Sequence, residues 1–591
     1  MRALRLVAVL LTFFTASAFA LVPLPPEKEK WITLTAGEFH IYSSASERQT
    51  RDVATNLLRM RETIGKITQL NVHSPLPTYV FLFKNERAFA PYRDALFHKQ
   101  DATVSGAFLS SRVANFIVMD ADAEGGIDRV IYHELVHYFL HNTTPSLPLW
   151  VDEGLAEYYS TFTVRGDKVS IGKPIPEHIY GLRSATLMPF AEQFAVTHAS
   201  PEYSESTRQG AFYAQSWALI HYLFTSSDAK RMQLAQYLAL LREGKSDDQA
   251  FRAAFGTDYA ALERELRLYV RRTAFAFTNY RFDELAIPEL SPVAELNRDE
   301  LLYGLGALYT YNRGTQDDGE TLVREAIRLN PNNAEAHGIL GYLQQLKNDR
   351  TAATALYEKA IALGSNDPLI YVIYGSGLLA NDAPRPQRLR ARKLLERATQ
   401  LDENSARAWA GICMTYVGES GDLKPGIAAC EKSLALSASQ EETAVNLMQL
   451  YAESDRLDDA RKLFDTIVAR STNAEYVPMG HETLNYADVR RAKNLFESGK
   501  REEAIAIIRP IAATTTIAAL KQDLQPVLDQ YDASVARNRI ANSIREALEK
   551  ADAGKPKEAV QIIDELLPTV TDAAMQAHLK KMRNDFAAKV K

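Results

Sequence analysis

At 591 residues the chain is too long for one hydrophobic core, and about three to five domain-sized units is the prior. Its 46% hydrophobic and 24% charged residues are those of globular protein, which excludes a disordered or fibrous chain. A formal net charge of −6 over this length argues against a nucleic-acid ligand and gives no reason to expect an anionic membrane partner.

In chain order, Arg2 and Arg5 precede an apolar run from Leu6 to Phe14, and Ala18-Phe19-Ala20 supplies the small residues of a cleavage site. Residues 1–20 therefore read as a secretory signal, with an uncleaved anchor as the alternative, and the expected location is periplasmic or extracellular. That run is too short to span a bilayer comfortably, and no later segment has the length and hydrophobicity for it. No cysteine follows the small residues to carry a lipid.

Beyond the signal, Glu38–Ser43 and Tyr79–Phe83 read as short strands rich in β-branched and aromatic residues. Between them, Glu47–Ile67 has helical spacing, with Val53, Leu57, Leu58 and Ile64 on one stripe. Gly106–Leu109 and Ala114–Met119 form a hairpin around Ser111-Arg112-Val113. An edge strand of such a sheet is available to pair with an extended backbone.

The next stretch, Ile131–His141, is IYHELVHYFLH. Residues four apart on a helix share a face, so His133 and His137 can reach one metal ion. Glu134, one residue beyond the first histidine, can accept a proton from a metal-activated water. Ile131, Leu135, Tyr138 and Phe139 point the other way, to anchor the helix. A second helix begins near Pro148 and carries Glu153 and Glu157, again four apart. A two-histidine zinc site needs a third protein ligand and one open position. Glu153 is the better candidate, and Glu157 one turn deeper can hold the other ring N–H of a ligating histidine.

HELVH, then WVDEGLAEY, then FYAQSWALIHYL at Phe212–Leu223 resembles the peptidase MA-like domain of the gluzincin metallopeptidases. The resemblance covers the motif order over about 90 residues, in a domain expected to run from about Trp31 to Phe277. It implies an α+β zincin-like fold, one Zn²⁺ per chain held by His133, His137 and Glu153, Glu134 as general base, and Glu157 behind a ligating histidine. It also implies Tyr213 as donor to the oxyanion of the tetrahedral intermediate. On the residues alone Tyr213 is equally readable as a core aromatic, and His141 and His221 as hydrogen-bonded histidines beside the core. The gap of fifteen residues between His137 and Glu153 is shorter than in the aminopeptidases of that family. Ser105-Gly106-Ala107-Phe108 lies where those enzymes keep an amine-binding glutamate and has none, so an endopeptidase is the expectation.

A hairpin around Gly166-Asp167 and helices at about Gln209–Thr225, Asp228–Arg242 and Asp258–Phe275 complete this domain, residues 21–278. Residues 279–297, with Pro288, Pro292 and several acids, read as a linker. From 298 to 591 the pattern becomes helical and repetitive. Gly341 and Gly375 recur at a spacing of 34, and Ala353, Tyr357, Ala360 are followed by Ala391, Leu395, Ala398. The region resembles the tetratricopeptide (TPR) repeat, which implies an all-α solenoid with a concave groove for a protein partner; an unrelated helical bundle is the alternative. Cys413 and Cys430 sit at facing positions of one repeat, either as a disulfide or as two small core residues. The expected protein is an exported zinc peptidase acting on a peptide or protein substrate, and its rival is a zincin–TPR scaffold without turnover.

Overall fold

The computed structural model describes residues 22–590 apart from 74–75, 98–104, 112, 123–128, 144–146, 166–167, 198–199, 205, 282–286, 380–382, 438–439 and 472. The signal at 1–20 and the Gly166-Asp167 turn lie outside the described residues. The described residues are mostly helical, with their strands confined to the first half of the chain.

The first strands are β1 (Ile32–Ala36) and β2 (Phe39–Ser43), followed by helix α1 (Glu47–Thr68), strand β3 (Thr78–Phe83) and helix α2 (Glu86–Phe97). Strands β4 (Gly106–Ser110) and β5 (Asn115–Asp120) lead to helices α3 (Arg129–Thr143) and α4 (Leu149–Ser160). Helix α1 starts where expected because Ser46 and Gln49 close a reciprocal capping box. Its stripe of Val53, Leu57, Leu58 and Ile64 is buried.

The short strands β6 (Thr163–Arg165), β7 (Lys168–Ile171), β8 (Thr278–Arg281) and β9 (Ala294–Glu295) come later. The main sheet has the order β4-β5-β3-β2-β1-β9 and the second sheet β6-β7-β8. In the main sheet β2-β3 and β3-β5 are parallel, while β4-β5, β1-β2 and β1-β9 are antiparallel. Residues 279–297 are thus more than a linker. Asn279 and Tyr280 pair with Ser170 and Val169, and Ala294 and Glu295 pair with Thr33 and Ile32. Two further differences concern helices. Asp247–Phe255 is a helix, capped by Ser246 with Gln249, and the helix expected to reach Phe275 ends at Val270.

Both faces of the main sheet are covered. Ile41, Val80, Leu82, Ile117 and Met119 pack with α1 and with Ile131 and Leu135 of α3. On the opposite face Phe81, Phe83, Phe116 and Val118 share a core with Leu302, Leu305 and Leu308 of the helix Arg298–Tyr311, and with Ile339 and Ile370 beyond it. The Tyr309 hydroxyl donates to the carbonyl of Tyr92 across this junction at 2.8 Å. Division by compactness accordingly falls at Asn446/Leu447 rather than near residue 297.

Within the first unit the repeat helices come in pairs: Arg298–Tyr311 with Gln316–Leu329, Ala334–Leu346 with Arg350–Ala362, Pro368–Gly377 with Arg385–Leu401, and Ala406–Met414 with Lys424–Leu436. The recurring glycine has a steric reason. A Cβ at Gly341 would stand 3.0 Å from the Tyr357 ring and 3.3 Å from the Ala353 carbonyl. At Gly375 the same position meets Leu395 at 2.9 Å and the Ala391 carbonyl at 3.3 Å. Cys413 and Cys430 form a disulfide that clamps the fourth pair. The second unit, Leu447–Lys591, continues with Tyr476–Glu497 paired to Arg501–Thr514, and a 35-residue helix, Ala518–Asp552, paired to Pro556–Leu566. Among the described residues no helix is long and apolar enough to cross a membrane.

Candidate metal centre

Helix α3 buries Ile131, Tyr132, Leu135, Val136, Phe139 and Leu140 as two adjacent i, i+4 rows. Gly106 lets β4 close on this helix, since a Cβ there would lie 3.0 Å from Cδ1 of Ile131. The opposite side carries His133, Glu134 and His137. Pro148 opens α4, its carbonyl accepting from the amides of Val151 and Asp152. Every residue of α4 is buried. At Gly154 the helix runs against Ser206–Thr225 so closely that a Cβ would lie 2.5 Å from Ile220 and 2.6 Å from the Ser216 carbonyl. That contact turns Asp152, Glu153 and Glu157 towards α3.

Three of the expected residues converge. The Nε2 atoms of His133 and His137 are 3.0 Å apart, and each is 3.3 Å from Oε2 of Glu153. Ligands about 2.0–2.2 Å from a tetrahedral zinc stand about 3.3 Å or slightly more from one another, so the triangle has the size of three corners of such a site. The far side of each ring explains the orientation. His137 Nδ1 lies 3.0 Å from Asp152 Oδ1, and His133 Nδ1 3.5 Å from Glu157 Oε1. Ionised carboxylates only accept, so they draw the N–H to Nδ1 and leave each Nε2 with its lone pair aimed at the shared point.

Glu153 completes the pattern. Its Oε1 accepts from the Tyr203 hydroxyl at 3.1 Å, whereas Oε2 is buried with no hydrogen-bond partner. Two imidazole lone pairs and a buried carboxylate oxygen facing one another require a positive charge between them. These residues therefore fit a divalent metal with N and O preference.

Without a metal, a proton has to serve. Burial opposes charge on His137, but the neighbouring carboxylates of Asp152 and Glu153 outweigh it and push the ring up to about 10. Burial would raise Glu153, but His133 and His137 bring it down to about 2. Against the same opposing burial, His178, His133 and Arg129 bring Glu157 down to about 2. Asp152, held by His137 and His141 against burial, lies well below the usual carboxylate range.

Glu134 is half-buried on the same helix between the histidines. The Tyr213 ring lies 6.0 Å from that of His133 and 6.1 Å from that of Tyr203. His221 is a satisfied core histidine, between the Tyr269 hydroxyl at 2.6 Å and the Gly172 carbonyl at 2.8 Å. His141 does not face the triangle and binds Oδ2 of Asp152 at 2.8 Å.

Four participants were absent from the sequence reading. Asp152 bridges His137 and His141, Tyr203 holds Glu153, and Arg129 and His178 both engage Oε2 of Glu157. For Asp152 a signal existed: three acids within an otherwise apolar twelve-residue helix cannot all face water. Tyr203 and His178 come from distant segments, and only tertiary structure brings them in, whereas Arg129 opens α3 four residues before His133 and shares its face by helical period.

The family model of the Peptidase MA superfamily matches residues 56–272, the segment that builds this centre. The match spans less than half of the chain, and the paired helices that begin at Arg298 lie beyond it. Mitochondrial import receptor subunit TOM70 of Saccharomyces cerevisiae is 30% identical over 141 residues, which is 23% of this chain and 23% of that protein. Among solved structures, Pseudomonas aeruginosa pilF is 19% identical, covering 39% of this chain and 96% of its own, with a TM-score of 0.28. A thermophilic TPR protein of Thermus thermophilus, TTC0263, is 20% identical, covering 32% and 98%, with a TM-score of 0.25.

Proposed function

We propose that the chain is an exported zinc-dependent endopeptidase with a zincin-like catalytic fold and a repeat module that binds a protein partner or presents substrate. The observation that carries this reading is the convergence of His133 Nε2, His137 Nε2 and the orphaned Glu153 Oε2 within 3.3 Å of one another. Zinc bound there supplies a water of lowered pKa and polarises the scissile carbonyl.

The chain's own residues do the rest. Glu134 takes the proton of the attacking water and returns it to the leaving amine. Tyr213 donates to the oxygen on which negative charge develops, an effect that can amount to a few kcal/mol. Asp152 and Glu157 keep both imidazoles in the tautomer that offers Nε2. Strand β4, last in the sheet order and beside α3, is the strand to which an extended substrate would add. The Cys413–Cys430 disulfide is the cross-link of an oxidising compartment and supports export.

Purified protein should contain about one zinc per chain by elemental analysis. Glu134→Gln should keep that zinc and lose casein hydrolysis by at least about a hundredfold. Hydrolysis retained in this variant would overturn the mechanism. Zinc-loaded wild type without hydrolysis would favour the scaffold.

A further inference from the structure

In the first three repeat pairs, the leading helices Arg298–Tyr311, Ala334–Leu346 and Pro368–Gly377 share their core with the main sheet. Tyr311 lies 6.2 Å from Phe116, and Gly304 sits against Tyr42 and Phe81. The chain's own sheet thus fills surface that a repeat array could otherwise offer a partner.

Later leading helices are different. Between the end of Glu441–Glu453 and Tyr476–Glu497 lies a groove of about 530 Å³, within the range of ligand sites. Met479 and Tyr486, 45% and 46% exposed, give it apolar and aromatic surface. Its charged lining is Glu453, Glu482 and Arg490. Arg490 is exposed at one end of this lining and donates to the Ala452 carbonyl at 2.9 Å, so the groove carries one more acid than base. Gln449 donates to Glu453 at 2.9 Å and fixes that carboxylate in place. Two carboxylates beside an exposed phenol ring form a site for a cation, the carboxylates by charge and the ring by its π-face.

We propose that this groove docks an extended segment of another protein that presents a Lys or Arg side chain beside an apolar one. The cation lies between Glu453 and Glu482 against Tyr486, and the apolar neighbour covers Met479. The proposal rests on the repeats being a protein-interaction module, and it names where in the chain and for which chemistry.

The test is fluorescence anisotropy with the full-length chain and three labelled peptides of one length, alternating Leu with Lys, Gln or Glu. The Lys peptide should bind at least about tenfold tighter than the Gln peptide, and the Glu peptide weakest. Tyr486→Ala should weaken the Lys peptide severalfold, and the pair Glu453→Lys with Glu482→Lys should reverse the order of Lys and Glu peptides. Glu497→Lys, on the same helix outside the groove lining, should leave the order intact. Circular dichroism and casein hydrolysis report whether each variant is folded, and hydrolysis also tests the peptidase reading separately. Unchanged Lys-peptide binding in the double variant overturns the groove alone, as does equal loss in Glu497→Lys. No binding of any peptide to wild type overturns both the groove and the interaction module.

Discussion

Acidic residues do opposite work in two regions of this chain. In α4 Asp152, Glu153 and Glu157 are buried, and each carboxylate faces a histidine. In the second unit Asp532 and Asp564 meet Arg509 and Arg583 on the exposed surface of repeat helices. The same functional group is a costly, oriented element in the first setting and a solvated one in the second. Desolvation makes the difference: a buried carboxylate must be paired or it destabilises the fold, and its pairing fixes geometry.

The contrast can be broken most severely at Gly154. Gly154→Ala should cost about 1–3 kcal/mol by thermal unfolding, because the new methyl meets backbone and not only a movable side chain. Zinc content should fall with it, since separating α4 from the helix Ser206–Thr225 moves Glu153. A variant with wild-type zinc and midpoint would show that the close approach is unimportant.

Next in size is Asp152→Asn, nearly isosteric, which removes the charge that fixes His137. Zinc affinity should drop about 10- to 100-fold in a competition titration with a chelator. An unchanged affinity would return Asp152 to a packing role.

The third outcome concerns pH in the metal-free chain. Glu153 and Glu157 are lowered from 4.5 to about 2, so their stabilisation is complete above about 4.5 and disappears as pH falls towards 2. His137 is raised from 6.5 to about 10, so its contribution is complete below 6.5 and disappears as pH climbs through 10. This network should therefore contribute most to the stability of the metal-free protein between about pH 4.5 and 6.5, read as the difference in unfolding midpoint from a His137→Ala variant. Zinc affinity should run the other way, rising with pH as His137 gives up its proton. A midpoint difference that grows steadily from pH 6.5 to 10 would contradict the network.

The smallest effect belongs to the surface. Arg509→Ala should leave the unfolding midpoint indistinguishable from wild type, because Arg509 and Asp532 are held in water. A clear shift would erase the distinction between the two settings.

How far the sequence carries depends on whether the relevant contacts are local. The α1 stripe, the facing of His133 and His137, and the 34-residue recurrence of Gly341 and Gly375 all follow from helical period and steric need, and they stand in the structure. Non-local pairing is less legible. Ala294 and Glu295 have nothing strand-like about them, yet they pair with a strand about 260 residues earlier in the chain. The second covering of the sheet had left a mark. TYVFLF in β3 is apolar on both alternating sets, which is the pattern of a strand buried on two faces. It does not reveal that repeat helices supply the second cover.

That shared face bears on how the chain can be divided. Phe81, Phe83 and Phe116 are each almost completely buried, at about 1.5–3 kcal/mol apiece. A fragment stopping at residue 297 would lay this aromatic strip open to water and invite self-association. The repeats that begin at Arg298 thus act as the missing wall of the enzyme-like half, and the smallest piece able to stand alone must include them.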